Sequence, residues 1–363
     1  MTLSPNPVEF FFQWHLTERC NLHCTHCYQE DGSIEEMSLS QAKEVVNIAR
    51  DTITSWSDTY EIAFSPSFNV TGGEPFLSPF LPDILSYLKT KEFDIYLLTN
   101  GTMINRDRAH MLAGIPLQGV QVSIEGPEEI HEQIRGKGSF KKAIQGISTL
   151  LDAGIIVTLN VTLSEINCNY VKDLVELASS VGAQRLGFSR LVPYGRGKGL
   201  ISGMIGQDKL KQVYEDILSI KHTMVSITTG DPVASQIGVD PDYEHRDIPL
   251  GGCAAGVSGI TILPDGTLTP CRRLGIPIGN IFKDSFREIW ATSPVLESLR
   301  IKTSYKGKCG ICARWSQCRG CRAIAYAYSL AQGTGDYLSE DPQCFITDSA
   351  TCLLYTSPSP RDS

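Results

Sequence analysis

The sequence predicts an α/β fold, with a partial, TIM-like (β/α)6 barrel followed by a C-terminal cysteine-rich domain. Between residues 8 and 189, six apolar segments alternate with helical patterns. This order is typical of βαβ units that build a parallel sheet. Between residues 253 and 344 the pattern changes, and seven of the 12 cysteines of the chain lie in that part. A second, smaller domain that binds metal through thiolates is therefore predicted there.

The six predicted strands are short runs rich in aliphatic, β-branched and aromatic residues. They cover residues 8–16, 68–71, 94–99, 119–124, 155–160 and 185–189. Helical periodicity predicts helices between them from Ser38 to Ala49 and over residues 140–153 and 169–181. Residues 51–68 form a longer link than helix-to-strand connections usually have, which predicts a local insertion. Six strands are too few to close an eight-stranded barrel, so we expect an open barrel with its chemistry at the C-terminal strand ends.

Composition and charge exclude several classes of partner. The chain has 363 residues, of which 42% are hydrophobic and 20% charged, so it can bury a sizeable core. Its net charge of −8 argues against nucleic acid as the main partner, because no basic stripe is available to neutralise phosphates. No apolar run approaches the span of about 20 residues that a membrane requires. Without an export signal, clustered cysteines indicate reduced, metal-binding thiols in a cytoplasmic, oxygen-sensitive protein that works under anaerobic conditions.

Cys20, Cys24 and Cys27 form a C-x3-C-x2-C run that is followed by an aromatic residue. Three thiolates on one short loop can hold three irons of a [4Fe–4S] cluster, because soft sulfur ligands select iron–sulfur clusters and zinc. The fourth iron is then left without a protein ligand and can bind a substrate or cofactor. A structural zinc loop completed by His23 or His26 is the alternative, although zinc sites more often use paired C-x2-C units.

This cysteine run resembles the signature loop of the radical S-adenosylmethionine (SAM) enzymes. The resemblance implies a [4Fe–4S] cluster whose open iron is chelated by SAM. It also implies an activity, in which the reduced cluster cleaves SAM and the resulting 5′-deoxyadenosyl radical abstracts a hydrogen atom from the substrate. The protein itself positions the reactants, excludes water from the site and delivers the electrons. The electrons come from a donor such as flavodoxin or ferredoxin. No catalytic residue beyond the cluster is assigned.

The ends of the predicted strands carry residues that this resemblance assigns to SAM binding. Gly72-Gly73-Glu74 follows the second strand and resembles the GGE motif that binds the methionine amino group. Two glycines allow a close backbone approach, and a carboxylate can pair with an ammonium group. The other predicted contacts are the strand-end turn residue Asn100, the ribose-contacting Ser123, the carboxylate-binding Arg135, the cavity-facing Asn160 and the adenine-side Leu191. For each of these single residues, ordinary turn chemistry or a surface ion pair is the alternative.

The C-terminal cysteines comprise a separated pair, a compact group and a final single residue. Cys253 and Cys271 lie on either side of residues 260–266, which are predicted to form a hairpin with its turn at Asp265-Gly266. The compact group has the spacing C-x2-C-x5-C-x2-C over residues 309–321, and Cys344 comes last. Seven cysteines at these spacings indicate metal binding far more specifically than one C-x2-C unit does. Two zinc ribbons are an alternative to iron–sulfur clusters.

The spacing resembles the SPASM extension of radical SAM enzymes, which houses auxiliary [4Fe–4S] clusters. By this resemblance, one auxiliary cluster is held by Cys309, Cys312, Cys318 and Cys344. The other cluster, with one iron open or ligated from elsewhere, is held by Cys253, Cys271 and Cys321. The two residues between Cys318 and Cys321 depart from the family's usual three. Cys168 lies outside both patterns and is predicted to be a free, buried thiol.

The resemblance leaves the substrate open. Most enzymes of this architecture modify peptides or proteins, so we expect a peptide or protein maturase whose auxiliary clusters accept electrons. The chain begins shortly before the cluster loop, so a peptide substrate would need a separate leader-recognition protein or none. Arg272 stands where sulfatase-type maturases carry an aspartate, which weakens that subclass. Arg272 and Arg273 could bind a substrate carboxylate, or they could tune the adjacent cluster.

Two alternatives to a peptide maturase remain. Residues 192–197, 318–323 and 335–344 resemble segments of the radical SAM enzymes of heme and heme d1 biosynthesis, which act on tetrapyrrole side chains. A bound tetrapyrrole would show an intense absorption band, whereas a peptide would not. The second alternative is a non-catalytic iron–sulfur electron carrier or scaffold, which would leave the GGE motif without a purpose.

These patterns together predict four segments along the chain. A radical SAM partial barrel covers residues 1–205, a connecting helical segment covers 206–250, and a SPASM auxiliary-cluster domain covers 251–351. Residues 352–362 match, codon by codon, the translation of a sequencing-library transposase adaptor, so we expect the segment 352–363 not to be native protein. A natural Ser/Pro-rich tail is the alternative for this last segment.

Overall fold

The computed structural model describes residues 7–30, 34–221, 224–237 and 247–346. The adaptor-like residues 352–363 lie outside these ranges. Ten strands occur in the described residues: β1 (Val8–His15), β2 (Phe64–Thr71), β3 (Asp94–Thr99), β4 (Gly119–Ser123), β5 (Val157–Leu163), β6 (Arg185–Arg190), β7 (Ser226–Thr229), β8 (Gly259–Ile262), β9 (Thr267–Thr269) and β10 (Gly279–Asn280).

The described residues also form eleven α-helices. They are α1 (Leu39–Tyr60), α2 (Leu81–Thr90), α3 (Arg106–Ala113), α4 (Glu128–Arg135), α5 (Ser139–Asp152), α6 (Val171–Val181), α7 (Gln207–Ser219), α8 (Phe286–Thr292), α9 (Pro294–Arg300), α10 (Gly307–Ile311) and α11 (Arg322–Ala331). Within the described ranges, no helix has both the length and the apolar character needed to cross a bilayer.

All ten strands belong to one sheet, in the order β10-β9-β8-β1-β2-β3-β4-β5-β6-β7. Strands β1 to β6 pair in parallel with their sequence neighbours, as the predicted βαβ units require. The α/β prediction with a partial parallel barrel and a C-terminal cysteine-rich domain is therefore confirmed. The predicted hairpin also forms, because β8 and β9 pair antiparallel and Gly266 occupies the left-handed region at φ +84°.

Two strands extend the sheet beyond the six that were predicted. Strand β7 pairs in parallel with β6 inside the segment predicted to be helical, and β8 pairs in parallel with β1. Strand β7 has only four residues and remains partly exposed at the sheet edge, so its alternation was too short to distinguish from a loop. The β1–β8 pairing joins residues about 250 positions apart, and sequence periodicity does not reveal such distant pairing.

The insertion predicted over residues 51–68 is wrong, because α1 continues to Tyr60 and β2 begins at Phe64. The helix begins with a capping box in which the backbone N–H of Gln41 donates to the Ser38 hydroxyl and the Ser38 N–H donates to the Gln41 side chain. Its buried stripe continues through Ile53 and Trp56, which keeps the last two turns helical against the core.

Side chains alternate across the barrel wall, with apolar residues outside and polar residues inside. On the outer face, Phe12 stacks on Phe68 with ring centroids 4.9 Å apart, and Phe93 meets Phe68 edge-on at 4.8 Å. Burying each such aromatic side chain beneath the helices stabilises the fold by roughly 1.5–3 kcal/mol. On the inner face, positions such as Gln121 and Asn160 stay partly accessible. The interior is therefore a polar cavity, unlike the packed core of a complete barrel.

Candidate active site

The C-terminal ends of β2 to β6 surround a cavity of about 130 Å³. The cysteine loop that follows β1 forms one of its walls with Cys20, Cys24 and Cys27. Six of the eight predicted SAM contacts also line it: Gly72, Gly73, Asn100, Ser123, Arg135 and Asn160. The prediction that the chemistry lies at the C-terminal strand ends matches this arrangement, while the ligand assigned to each residue stays a prediction.

Glu74 and Leu191 do not line this cavity. The Glu74 side chain is fully buried, and its carboxylate accepts hydrogen bonds from the Thr99 hydroxyl at 2.7 Å and from the Asn100 N–H at 2.9 Å. Burial raises the pKa of Glu74 to about 7, and these hydrogen bonds oppose that rise. Glu74 therefore stabilises the turn that carries Asn100. The Leu191 side chain is buried outside the cavity, and its N–H donates to the Leu163 carbonyl at 2.9 Å.

The two glycines of the GGE motif lie against the chain that leads into the cysteine loop. The Gly73 N–H donates to the Thr17 carbonyl at 2.7 Å, and the Glu74 N–H donates to the Arg19 carbonyl at 2.8 Å. A Cβ atom at Gly73 would lie 2.3 Å from the Arg19 carbonyl oxygen. Glycine is therefore needed here so that the two backbone segments can pack together beside Cys20. The sequence had suggested a different reason, the close approach of a ligand.

The segment after β6 contacts the other end of the cysteine loop. The Gly197 N–H donates to the Cys27 carbonyl at 2.9 Å, and the Arg196 N–H donates to the Gln29 carbonyl at 3.1 Å. Gly195 has a positive φ of +59°, and a Cβ atom there would lie 2.3 Å from the Tyr28 carbonyl oxygen. The loop is therefore held between backbone segments from β2 and β6, the first and last sides of the cavity.

Replacing Gly195 with alanine is expected to displace the cysteine loop and reduce its capacity to bind iron. The left-handed conformation alone costs a non-glycine residue roughly 1–2 kcal/mol, and the contact with backbone at Tyr28 adds to it. The matched control is Gly199→Ala in the same segment, where an added Cβ meets nothing within 4 Å. Iron content and thermal unfolding of both variants measure the effect. Equal iron content and stability in the two variants would show that the contact does not constrain the loop.

Partly buried donors lie near two of the three sulfur atoms of the loop. The Leu22 N–H lies 3.5 Å from the Cys20 sulfur, the Asn100 side-chain amide lies 3.8 Å from it, and Arg135 Nη1 lies 3.8 Å from the Cys24 sulfur. Burial raises the pKa of the Cys20 and Cys24 thiols. Since thiolates are the metal-binding form, an iron–sulfur cluster would supply the positive charge that keeps them ionised. The three thiols and their donors therefore fit a cluster.

A buried carboxylate beside this loop was not assigned from the sequence. Glu125 is fully buried and accepts from Arg135 Nε at 2.9 Å, from the Thr162 N–H at 2.8 Å and from His26 Nε2 at 3.2 Å. Burial would raise the pKa of Glu125, but the charges of Arg135 and His26 outweigh it and hold that pKa well below its usual range. Glu125 lies in the same strand-end run as Ser123, where an acidic residue next to a buried strand was the available signal.

The C-terminal cysteines separate into two further cavities. One, lined almost wholly by apolar atoms, is bordered by Cys309, Cys312, Cys318 and Cys344. The other, which has no fourth cysteine among its described lining residues, is bordered by Cys253, Cys271 and Cys321. This division follows the predicted ligand sets, and ligation itself stays a prediction. Burial raises the pKa of Cys321 to about 12 and of Cys344 to about 11, so free thiols would remain protonated here.

Every cysteine in the described ranges is a free thiol, and Cys168 is buried away from all three cavities. Over the same ranges, no three His, Cys, Asp or Glu side chains lie close enough together to bind a single metal ion.

Three arginines connect the three cavities. Arg272 and Arg273 line both the barrel cavity and the cavity of the three-cysteine set. Arg190, at the end of β6, forms ion pairs with Asp231 at 2.6 Å and with Asp341 at 2.7 Å, and Asp341 also accepts the Cys321 N–H at 2.8 Å. Neither acidic partner was predicted, because both come from irregular segments distant in sequence.

Known proteins share both halves of this architecture. The family model described as the Radical SAM superfamily matches residues 14–178, and that of an iron–sulfur cluster-binding domain, SPASM, matches residues 253–322. The AdoMet-dependent heme synthase of Methanosarcina barkeri is 31% identical, over 91% of this chain and 95% of that protein. The chain belongs to the radical SAM superfamily. Among other relatives, the mycofactocin maturase of Mycobacterium tuberculosis is 29% identical over 96% of this chain and 86% of that protein.

The solved structures support the same fold for this radical SAM protein. Streptococcus suis SuiB, in a crystal structure bound to its precursor peptide SuiA, has a TM-score of 0.74 and 16% identity. The match covers 93% of this chain and 76% of SuiB. The protein is thus a radical SAM enzyme that uses SAM and a [4Fe–4S] cluster, and its SPASM domain binds iron–sulfur clusters. The alternative of a non-catalytic electron carrier is set aside.

Proposed function

We propose that this enzyme modifies a carboxylate-bearing side chain of a tetrapyrrole by SAM-dependent radical chemistry, as in heme or heme d1 biosynthesis. The observation that carries the proposal is the position of Arg272 between the barrel cavity and the three-cysteine cavity. The heme synthase named above, which matches over most of both chains, supports the same substrate class. An external one-electron donor of the flavodoxin or ferredoxin type is part of the proposal.

Cys20, Cys24 and Cys27 would hold the cluster that binds SAM. Once bound, that cluster supplies the electron that cleaves SAM and so provides the radical for hydrogen abstraction. The chain contributes a polar cradle for SAM that includes Asn100, Ser123 and Asn160. Arg135 also lines this cavity, with its three guanidinium nitrogens directed to Glu125 and the Cys24 sulfur, and its contact with the SAM carboxylate stays a prediction.

The auxiliary clusters would be held in the two C-terminal cavities. Cys309, Cys312, Cys318 and Cys344 provide four thiolates for one cluster, and Cys253, Cys271 and Cys321 provide three for the other. The second set shares the wall formed by Arg272 and Arg273 with the barrel cavity. A substrate at this wall would therefore lie between the SAM site and the cluster held by Cys253, Cys271 and Cys321. One iron of that cluster has no cysteine assigned to it.

The substrate class follows from the unpaired charge at this wall. The Arg272 guanidinium lies over the Tyr28 ring, 5.7 Å from its centroid, and forms no ion pair or hydrogen bond within the described part of the chain. Arg273 is partly buried and donates from Nη1 to the Arg190 carbonyl at 3.2 Å, and its buried Nε atom has no hydrogen-bond partner among the described residues. Arginine forks match carboxylates, and buried cations require anionic partners. Acidic tetrapyrrole side chains provide them.

Peptide modification is the second candidate, favoured by the match to the mycofactocin maturase over 96% of this chain. A C-terminal or side-chain carboxylate of a peptide could also meet Arg272.

The test is turnover by anaerobically reconstituted enzyme with SAM, dithionite and iron coproporphyrin III, a tetrapyrrole with propionate side chains. We expect the intense porphyrin band to shift on binding, and mass spectrometry to detect both 5′-deoxyadenosine and a changed side-chain mass. The matched arm replaces the porphyrin with a peptide encoded beside the gene. Modification of the peptide, with an unchanged porphyrin band and mass, would overturn the tetrapyrrole proposal and favour the second candidate.

Replacing Arg272 with methionine is expected to reduce tetrapyrrole kcat/KM by roughly 10- to 100-fold, because charge-assisted hydrogen bonds contribute about 1.5–3 kcal/mol. The loss should appear mainly in KM, while SAM cleavage without substrate stays unchanged. Arg106→Met, at an exposed position on α3, is the control and should behave as the parent enzyme. An unchanged KM in Arg272→Met would remove Arg272 from substrate binding.

A further inference from the structure

Arg135 forms a fork between a buried carboxylate and a cysteine of the SAM-cluster loop. Its Nε and Nη2 atoms donate to Glu125 Oε1 at 2.9 and 2.5 Å, and its Nη1 atom lies 3.8 Å from the Cys24 sulfur. The Arg135 side chain is 11% exposed and the Glu125 side chain is 0% exposed, so water screens this pair little. A fixed positive charge therefore lies beside one sulfur, with a fixed negative charge directly behind it.

Arg135 and Glu125 form a hydrogen-bonded pair of opposite charge with little access to water, which favours the ionised form of both groups. Glu125 also accepts the Thr162 N–H and contacts His26, which adds donors to the carboxylate. The pair is further held because α4 carries Arg135 and the end of β4 leads directly to Glu125. Its geometry is thus set by the fold and does not require a bound ligand.

A charge at this distance acts on the redox equilibrium of a cluster. One-electron reduction adds a negative charge to the iron–sulfur core and its thiolates, so a nearby cation stabilises the reduced form and a nearby anion destabilises it. Hydrogen bonds to cysteine sulfur and the net charge around it are among the factors that set cluster potentials. Arg135 should raise the reduction potential and Glu125 should lower it.

We propose that the Glu125–Arg135 pair sets the reduction potential of the cluster bound by Cys20, Cys24 and Cys27. This rests on the proposed ligation by those cysteines and is independent of the substrate. Arg135 contributes through its N–H group at the Cys24 sulfur, and Glu125 is a positioning residue that holds the guanidinium and partly cancels its charge. The pair therefore keeps the potential between the values that either charge alone would give.

The experiment is an EPR-monitored redox titration of anaerobically reconstituted protein, with dithionite as the one-electron reductant. The signal of the relevant cluster is recognised by its change when SAM is added. Arg135→Gln should lower the midpoint potential, and Glu125→Gln should raise it. We expect about a tenfold change in the reduction equilibrium for each, which is about 59 mV for one electron. Arg135→Lys, which keeps the charge, should lie nearer to the parent protein than Arg135→Gln.

The double variant Glu125→Gln/Arg135→Gln removes both charges and leaves no unpaired ion, so its potential should fall between those of the single variants. The control pair Glu128–Lys141 is exposed, with 3.1 Å between its charged atoms, and Glu128→Gln and Lys141→Gln should not shift the potential. Shifts of equal sign in both single variants, or no shift, would overturn the proposal. Loss of the cluster in every Arg135 and Glu125 variant, with the cluster intact in the control variants, would also overturn it. The pair would then be needed to form the cluster site, and no role in setting the potential would be shown. Failure of porphyrin turnover alone would leave these potentials unaffected and would bear only on the proposed substrate.

Discussion

Replacing Cys24 with alanine should abolish reductive cleavage of SAM and remove about a third of the bound iron, four of about twelve atoms. Cys24 is buried at the centre of the cysteine loop and has a charged donor at its sulfur. With only Cys20 and Cys27 left, the loop offers two thiolates to a cluster that needs three from the protein. Formation of 5′-deoxyadenosine should fall to the background rate, whatever the substrate.

The matched control for this variant is Cys168→Ala. Cys168 is also buried, at 3% exposure, but it lines none of the cysteine cavities, so its loss should leave iron content and SAM cleavage unchanged. The C-terminal clusters should persist in Cys24→Ala, which separates a local effect from unfolding. Full SAM cleavage by Cys24→Ala would contradict the assignment of the loop.

Replacing Arg190 with methionine should destabilise the protein by about 3–5 kcal/mol, the usual cost of breaking a buried ion pair from one side. Arg190 is fully buried and donates to Asp231, Asp341 and Gln343, so its loss leaves two buried carboxylates without their cation. Asp341 accepts the Cys321 N–H and starts the turn whose Cys344 N–H donates to the Asp341 carbonyl at 3.0 Å. One cysteine of each auxiliary cluster, Cys321 in one and Cys344 in the other, would thus lose the contact that holds its backbone.

We therefore expect the iron content of Arg190→Met to fall from about twelve towards about four atoms per chain, with the SAM-responsive cluster retained. Denaturant unfolding and EPR of the reduced protein measure the two effects. Lys209→Met is the control, since the Lys209–Glu165 pair is 40% and 36% exposed and contributes at most about 1 kcal/mol. Normal stability together with a full iron content in Arg190→Met would show that this network does not support the auxiliary clusters.

Local patterns in the sequence predicted the elements that carry the site. Strand–helix alternation predicted the order of β1 to β6, and the Asp265-Gly266 turn predicted the β8–β9 hairpin. Both signals are local, since they depend on residues a few positions apart. The grouping of the thiols around the three cavities follows the sets that the resemblance to radical SAM enzymes and their SPASM extension implied.

The interactions that position the site could not be predicted in the same way. The GGE motif suggested a ligand contact for Glu74, whereas the folded chain buries this carboxylate against the Thr99–Asn100 turn. Arg190 meets Asp341 across 151 positions, and Arg135 meets Cys24 across 111. A motif indicates which residue types lie at a strand end, but the partner of each buried charge depends on how distant segments pack.

The measurement that tests the central claim most directly is the iron, sulfide and zinc content of anaerobically reconstituted protein. Three [4Fe–4S] clusters predict about twelve irons and twelve sulfides per chain, with no zinc above background. About four irons together with bound zinc would contradict the three-cluster assignment, because the C-terminal cysteines would then form structural zinc sites.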